Sequence, residues 1–355
     1  MSGPVLIMAG GTGGHVYPGL AVAAELKRRG REVVWLGTRS GLEAEVVPQH
    51  AIAIDFINVG GLRGKGVVRW LLAPLVIARA VVQAIAVLRR HRPSSVLGMG
   101  GFAAGPGGVA AWLLRVPLLI HEQNAVAGLT NRLLAPLACR VLEGFAGTFP
   151  AHGKVVSVGN PVREAIAALP SAPSRPAGEP LHLLVLGGSL GAQALNEVVA
   201  PALERIELGR RPQVLHQSGR SKEVVTREAY QRAGVEARVE PFLERIDEAY
   251  GWADLVVCRA GALTLAEVAA AGLPAILVPY PHAVDDHQRH NAEWLVARGA
   301  AVLLLQRELD AARLAALIEE LVQAERLQQM AHKAKAASRT DAASKVANHC
   351  LEVAR

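Results

Sequence analysis

A histidine closes the first glycine-rich turn of this chain, and the residue types around it define the chemistry to be explained. GGTGGH spans residues 10–15, directly after the apolar run 5–8, and GGSLGA spans residues 187–192, directly after 183–186. Each reads as strand, tight turn and helix start. The outward N–H groups at a helix start carry partial positive charge and suit a phosphate. One such turn is an ordinary βα connection; two, one in each half, imply two doubly wound domains facing a phosphate-bearing cleft. His15 lies at the carboxyl side of a strand, where doubly wound folds place ligands. There it can act as a general base or simply cap the turn.

Other polar clusters follow predicted strands. GMGGFAAGPGG, residues 98–108, lets the backbone approach a ligand closely or serves as a flexible loop. His121-Glu122-Gln123-Asn124 puts four polar side chains at one strand end, and Glu122 there could be a base or could orient His15. RAGALTLAE, residues 259–267, places Glu267 one turn into a helix, where a carboxylate can accept from both hydroxyls of a ribose or just favour the helix dipole. PYPHAVDDHQRHN, residues 279–291, suits sugar hydroxyls. Its Asp285, Asp286 and His287 could mimic metal ligands, but adjacent side chains rarely converge on one ion, so no metal is expected.

Two rival phosphate motifs fail. The dinucleotide fingerprint needs a third glycine where Val16 stands, and an acidic residue where the second strand ends Trp35-Leu36-Gly37-Thr38. No Gly-Lys-Ser/Thr follows either turn, which excludes a P-loop.

The elements that must hold these residues alternate along the chain. Buried parallel strands fit 5–8, 33–36, 96–98, 118–121 and 155–158, with helices at 21–29, 67–90, 107–114 and 129–138. The second half repeats the scheme. Its strands fit 183–186, 213–216, 237–239, 255–258, 275–278 and 301–305; its helices fit 193–206, 221–233, 246–253, 262–271, 286–298 and 310–326. Such βα alternation implies parallel sheets covered on both faces. A chain of 355 residues is long for one core, so two domains are expected. The change is placed near Pro161, before the Pro/Ser-rich stretch 169–180. The helical tail from Ala331 carries little core and could pack on either domain.

Charge is unevenly distributed. The net formal charge is +7, yet residues 1–162 hold 16 Lys and Arg against 7 Asp and Glu. No carboxylate occurs from Phe56 to His121, where eight Lys and Arg do. The apolar stretch 70–88 lies between Arg63, Lys65 and Arg69 on one side and Arg89, Arg90 and Arg92 on the other. Apolar bulk between basic ends fits an anionic phospholipid surface better than nucleic acid, which is not expected as a partner. Pro74, Arg79 and Gln83 argue against a spanning helix, and a core helix with solvated ends is the plain alternative. Cys139, Cys258 and Cys350 are isolated, which suits a reducing compartment, and the N-terminus has no signal-peptide pattern.

Taken together and in order, GGTGGH, GMGGFAAGPGG, HEQNAVAGLTN, GNPVR, GGSLGAQALN, RAGALTLAE and DDHQRHNA resemble the MurG family, the bacterial peptidoglycan glycosyltransferases. These add GlcNAc from UDP-GlcNAc to the C4 hydroxyl of undecaprenyl-pyrophosphoryl-MurNAc-pentapeptide, lipid I, giving lipid II. The resemblance implies an α/β GT-B fold, two Rossmann-like doubly wound parallel-sheet domains with an interdomain cleft. It implies an inverting transferase without cofactor or catalytic metal. The N-terminal domain, 1–162 with 340–355, would face acceptor and membrane, and 163–339 would bind the donor. His15 would be the general base, with Glu122 the other candidate. Thr12, Gly13, Gly14 and Asn124 would border donor sugar and acceptor. Ser189 would contact donor phosphate and Glu267 the ribose; the backbone near Leu243 would read uracil, with Arg163 close by. The turn Ala262, Leu263, Thr264 and the following Leu265 and Ala266 would line the donor pocket, with His287 and Gln288 on the GlcNAc hydroxyls. Gly13, Gly14, Gly100 and Gly101 would carry the acceptor pyrophosphate. The implied location is peripheral, on the cytoplasmic face of the inner membrane, and contacts with other cell-wall synthesis proteins are a further expectation. Phe102 departs from the tyrosine of some relatives, so a hydroxyl there is not essential. Other GT-B transferases, UDP-GlcNAc 2-epimerases and a non-catalytic sugar-nucleotide-binding scaffold are the alternatives; the epimerase gives no reason for a basic apolar face.

Overall fold

Apolar strand runs covered on both faces demand helices above and below them, and the chain answers this twice. The computed structural model describes residues 3–60, 67–170, 179–188 and 191–354. The chain divides into two compact units, Met1–Arg163 with Arg339–Arg355, and Glu164–Ser338.

In the first unit, β1 (Val5–Ala9), α1 (Gly13–Arg28), β2 (Val33–Gly37), α2 (Glu43–Gln49), β3 (Ala53–Phe56), α3 (Val67–His91), β4 (Ser95–Gly100), α4 (Ala104–Leu113), β5 (Leu118–Glu122), α5 (Leu129–Leu134), β6 (Arg140–Glu143) and β7 (Val155–Ser157) follow in order. The strands form one seven-stranded parallel sheet in the order β3-β2-β1-β4-β5-β6-β7. The second unit runs α6 (Glu164–Ala167), β8 (His182–Leu186), α7 (Gln193–Glu204), β9 (Gln213–Gln217), α8 (Glu223–Arg232), β10 (Ala237–Glu240), α9 (Ile246–Trp252), β11 (Leu255–Cys258), α10 (Ala262–Ala271), β12 (Ala275–Leu277), α11 (His287–Val296), β13 (Ala301–Leu303), α12 (Ala311–Leu321) and α13 (Ala324–Ala337). Its six parallel strands are ordered β10-β9-β8-β11-β12-β13. Both orders reverse once, between β1 and β4 and between β8 and β11. A reversal opens a crevice at the carboxyl ends of the two strands, where doubly wound folds bind ligands. Both glycine turns recognised in the sequence lie at these reversals.

Several elements differ from expectation. Helix α1 starts at Gly13, not residue 21, although Gly13, Gly14, Gly19 and Pro18 are poor helix formers. Burial of Val16, Pro18 and Leu20 against the sheet outweighs propensity. Strands β3 and β6 and helix α2 were not anticipated: β3 is a half-exposed edge carrying Asp55, and β6 is bounded by Arg140 and Glu143. The expected helix 310–326 is two helices; Asp310 caps α12 by accepting from the Arg313 N–H at 2.8 Å. A final helix, α14 (Ala342–Glu352), places Val346, Ala347 and Cys350 in the core of the first unit beside α1. So the tail does carry core. Arg163 and Arg339, assigned from sequence to the second domain, both pack in the first unit. The Arg163 guanidinium lies 5.2 Å from the Tyr17 ring centroid, and Arg339 covers Gly159.

Candidate active site

Strand β1 delivers the first turn to the sheet reversal, where it meets the turn after β4. A Cβ on Gly101 would lie 2.2 Å from the Gly10 carbonyl oxygen, so only glycine permits this approach, and Gly101 has φ +82°. The amides of Gly13 and Gly14 open α1, and the first turn of a helix leaves its N–H groups without intrahelical acceptors. No acidic residue occupies that turn. The neighbouring Gly11 amide is committed elsewhere. The fully buried Glu43 carboxylate accepts from Gly11 N at 2.9 Å, and from Thr38 N and Oγ1 at 2.8 Å each. These bonds offset the cost of burying the charge and lock the turn to the end of β2.

His15 projects from the first turn of α1 against the turn after β4; a Cβ on Gly100 would lie 2.9 Å from its ring. Its Nδ1 is 2.9 Å from Gln123 Oε1. Gln123, not Glu122, is therefore the side chain that meets His15. Gln123 Nε2 lies 3.1 Å from His121 Nδ1, and His121 Nε2 lies 2.9 Å from the Gly159 carbonyl. Complete burial pushes the His121 imidazole down to about 4, so it is neutral near pH 7.

Glu122 is buried and saturated. Its Oε1 accepts from Asn124 N at 3.0 Å and Asn124 Nδ2 at 3.2 Å; its Oε2 accepts from Gly128 N at 3.0 Å and Asn131 Nδ2 at 2.9 Å. These bonds fold the segment between β5 and α5. Asn160 of the GNPVR motif secures the same segment by donating to the Gln123 carbonyl at 2.9 Å. Thr12 is exposed and Asn124 half-buried at the rim.

In the second unit, Gly187, Gly188, Gly191 and Ala192 lead from β8 into α7; Ser189 lies outside the described residues. Gly191 has φ +69°, and a Cβ there would sit 1.9 Å from the Ser218 carbonyl oxygen. That carbonyl also accepts from Asn196 Nδ2 at 2.9 Å, and Asn196 Oδ1 pairs with the buried His216 Nε2 at 3.1 Å. A polar network under α7 thus fixes the turn. As in the first unit, the helix has no acid in its first turn.

Helix α10 begins after Gly261 at the end of β11. Ala262 and Leu265 are buried, while Leu263, Thr264 and Ala266 are half-buried. Glu267 is 4% exposed, and Tyr250 OH donates to its Oε2 at 3.2 Å. Leu243 is half-buried in the connection between β10 and α9. Gln288 Oε1 accepts from Tyr280 N at 2.9 Å, and His287 Nδ1 donates to the Val284 carbonyl at 2.7 Å. Arg259, at the end of β11, donates to the Val278 and Pro279 carbonyls and to Gln306 Oε1. Burial lowers its basicity. Among the described residues, no group of three or more His, Cys, Asp or Glu could hold a metal ion.

Sequence reasoning singled out His15, Glu122 and Glu267. It gave no role to Gln123, Glu43, Tyr250 or Asn196, whose partners lie 17 to 108 residues away. Only the polar run HEQN hinted at Gln123.

Comparison with known proteins gives the family of this chain. Residues 5–143 match the glycosyltransferase family 28 N-terminal domain, and residues 182–346 match the family 28 C-terminal domain. The chain is 59% identical, over the whole of both chains, to the UDP-N-acetylglucosamine--N-acetylmuramyl-(pentapeptide) pyrophosphoryl-undecaprenol N-acetylglucosamine transferase of Alkalilimnicola ehrlichii. It is 56% identical to the protein of that name from Nitrosococcus oceani, over 99% of this chain and 98% of the other. The crystal structure of Acinetobacter baumannii MurG matches with a TM-score of 0.84 at 41% identity over 99% of each chain. Two doubly wound parallel sheets under these matches are the GT-B fold, and the chain belongs to the MurG family within glycosyltransferase family 28.

Proposed function

We propose that this chain transfers GlcNAc from UDP-GlcNAc to the C4 hydroxyl of lipid I with inversion, forming lipid II. The observation that carries this reading is full-length identity of 59% to a protein named for that transfer. The acceptor oxygen attacks C1 of GlcNAc while its proton passes to His15. The bond from C1 to the diphosphate oxygen breaks, and its electron pair stays on UDP. Attack opposite the leaving group inverts the anomer.

Each unit supplies one part of this chemistry. In the second, the turn 187–192 and the start of α7 stabilise charge growing on UDP, with Ser189 on the phosphate. Glu267 holds the ribose, the backbone near Leu243 reads uracil, and His287 and Gln288 contact the sugar. In the first, the amides around Gly13, Gly14, Gly100 and Gly101 receive the acceptor pyrophosphate. Glu122, with four hydrogen bonds already made, shapes its loop and does not take the proton.

The test is a transfer assay with purified chain, UDP-GlcNAc and lipid I. UDP release that depends on lipid I, with a disaccharide product, is expected. Acceptor-independent conversion to a 2-epimer would overturn the reading in favour of an epimerase.

The protein works at an anionic membrane surface through α3, α4 and α5. These helices share one core under the sheet, yet Leu75, Trp112 and Leu133 on their outer sides are 69%, 51% and 66% exposed. Exposed Arg79 and Arg89 supply the charge; Arg63 and Lys65 lie outside the described residues. No described helix is long and apolar enough to cross a membrane, so contact by side chains is the form proposed. Replacing Leu75 and Leu133 together by glutamate is expected to weaken binding to phosphatidylglycerol-containing vesicles by at least about 100-fold, since each buried leucine contributes about 1.5–3 kcal/mol and two are lost. Turnover of a soluble short-chain acceptor should stay the same. Unaltered vesicle binding would remove this face.

A further inference from the structure

We infer that Gln123 and His121 form a one-way hydrogen-bond relay that sets the tautomer of His15, keeping the proton on Nδ1 and the lone pair on Nε2. The inference rests on His15 acting as the base, and it makes Gln123 a positioning residue for that base.

Two backbone carbonyls fix the direction, because a carbonyl can only accept. The Gly159 carbonyl lies 2.9 Å from His121 Nε2, so that nitrogen carries the hydrogen. His121 is neutral, so its Nδ1 holds a lone pair and must accept. The group facing Nδ1 at 3.1 Å is therefore the amide NH2 of Gln123. The same NH2 lies 3.3 Å from the His121 carbonyl, a second acceptor, which would repel the oxygen of a flipped amide. Gln123 Oε1 is then left facing His15 Nδ1 at 2.9 Å, and an amide oxygen needs a donor. A neutral His15 has one hydrogen to give and must spend it there. Gly100 leaves room for the ring in this place. In water, neutral histidine prefers the other tautomer, with the hydrogen on Nε2 and no acceptor there for an incoming proton. The relay reverses that preference. It differs from the carboxylate of a serine-protease triad in using a neutral amide, which orients the ring without adding charge.

The direct test is 15N NMR of histidine-labelled full-length protein at a pH where His15 is neutral. The wild type should show His15 protonated on Nδ1; protonation on Nε2 would overturn the inference without any variant. In Gln123→Leu the Nε2-protonated form should gain at least an equal share. At the same time kcat should fall about 10- to 100-fold, part of the whole contribution of a general base, with donor KM within about twofold. Gln123→Glu retains an acceptor for Nδ1–H and should recover the Nδ1-protonated tautomer that Gln123→Leu loses, while its second oxygen, which faces the two acceptors of His121, keeps kcat below the wild type. An unchanged tautomer in Gln123→Leu would sink the relay. A changed tautomer with full kcat would keep the relay and remove His15 as the base.

Discussion

Replacing His15 by alanine is expected to lower kcat for GlcNAc transfer by about a thousandfold, the middle of the range for loss of a positioned general base. The expectation follows from where the imidazole sits. It stands at a sheet reversal, beside the opening amides of α1, with one ring nitrogen engaged by Gln123 and the other unengaged by that contact. The donor KM should change by no more than about threefold, because the proposed role puts the ring on the acceptor hydroxyl and the uridine in the other unit. Loss confined to kcat is the mark of an interaction made only in the transition state. Steady-state kinetics with a fixed, saturating lipid acceptor separates the two parameters. Retained kcat would rule out His15, and Glu122 would need re-examination despite its four bonds. A matching experiment on Glu122→Gln should instead disturb the fold between β5 and α5, visible as a lower melting temperature.

Replacing Glu267 by alanine is expected to raise the donor KM about a hundredfold while leaving kcat at saturation within a few-fold. A hydrogen bond to a charged group contributes about 1.5–3 kcal/mol, so two weak ones lost from a ribose amount to about 3 kcal/mol, or two powers of ten. Tyr250 donates to one carboxylate oxygen at 3.2 Å and so holds the plane of the acid. Tyr250→Phe should therefore raise the donor KM by a smaller factor, about tenfold. Calorimetric titration with UDP reads the same loss without turnover. A donor KM unmoved in Glu267→Ala would remove this carboxylate from the ribose.

How these residues came to be recognisable differs from case to case. The runs 5–8 and 183–186 are apolar throughout, which only a strand buried on both faces requires, and glycine turns follow them at once. So β1, β8 and the turns after them could be read locally. His15 and Glu267 could be proposed because each sits within one turn or two of such a signal. Strand β3 escaped notice because an edge strand buries little and needs no strong pattern. The start of α1 departs from its local pattern because burial, absent from local propensity, holds three glycines and a proline in a helix.

The roles of Glu122, Gln123 and Glu43 belong to a different class. Glu122 and Gln123 are neighbours with equal claim to His15 in the sequence. Alternation along β5 and the turn after it sends the acid toward Gly128 and Asn131 and the amide toward His15. Glu43 sits in a helix that no pattern announced, yet its carboxylate reaches back 32 residues to the Gly11 amide.

From residue order alone came the two-domain α/β plan, the position of both glycine turns at the sheet reversals and the family, because each is written in contiguous segments. Which carboxylate is consumed in bonding, which amide touches His15 and which residues of the last helix enter the core were decided only by the tertiary structure. Hydrogen bonds and core contacts between residues far apart in the chain depend on direction as well as identity, and direction exists only once the strands are registered and the helices laid across them.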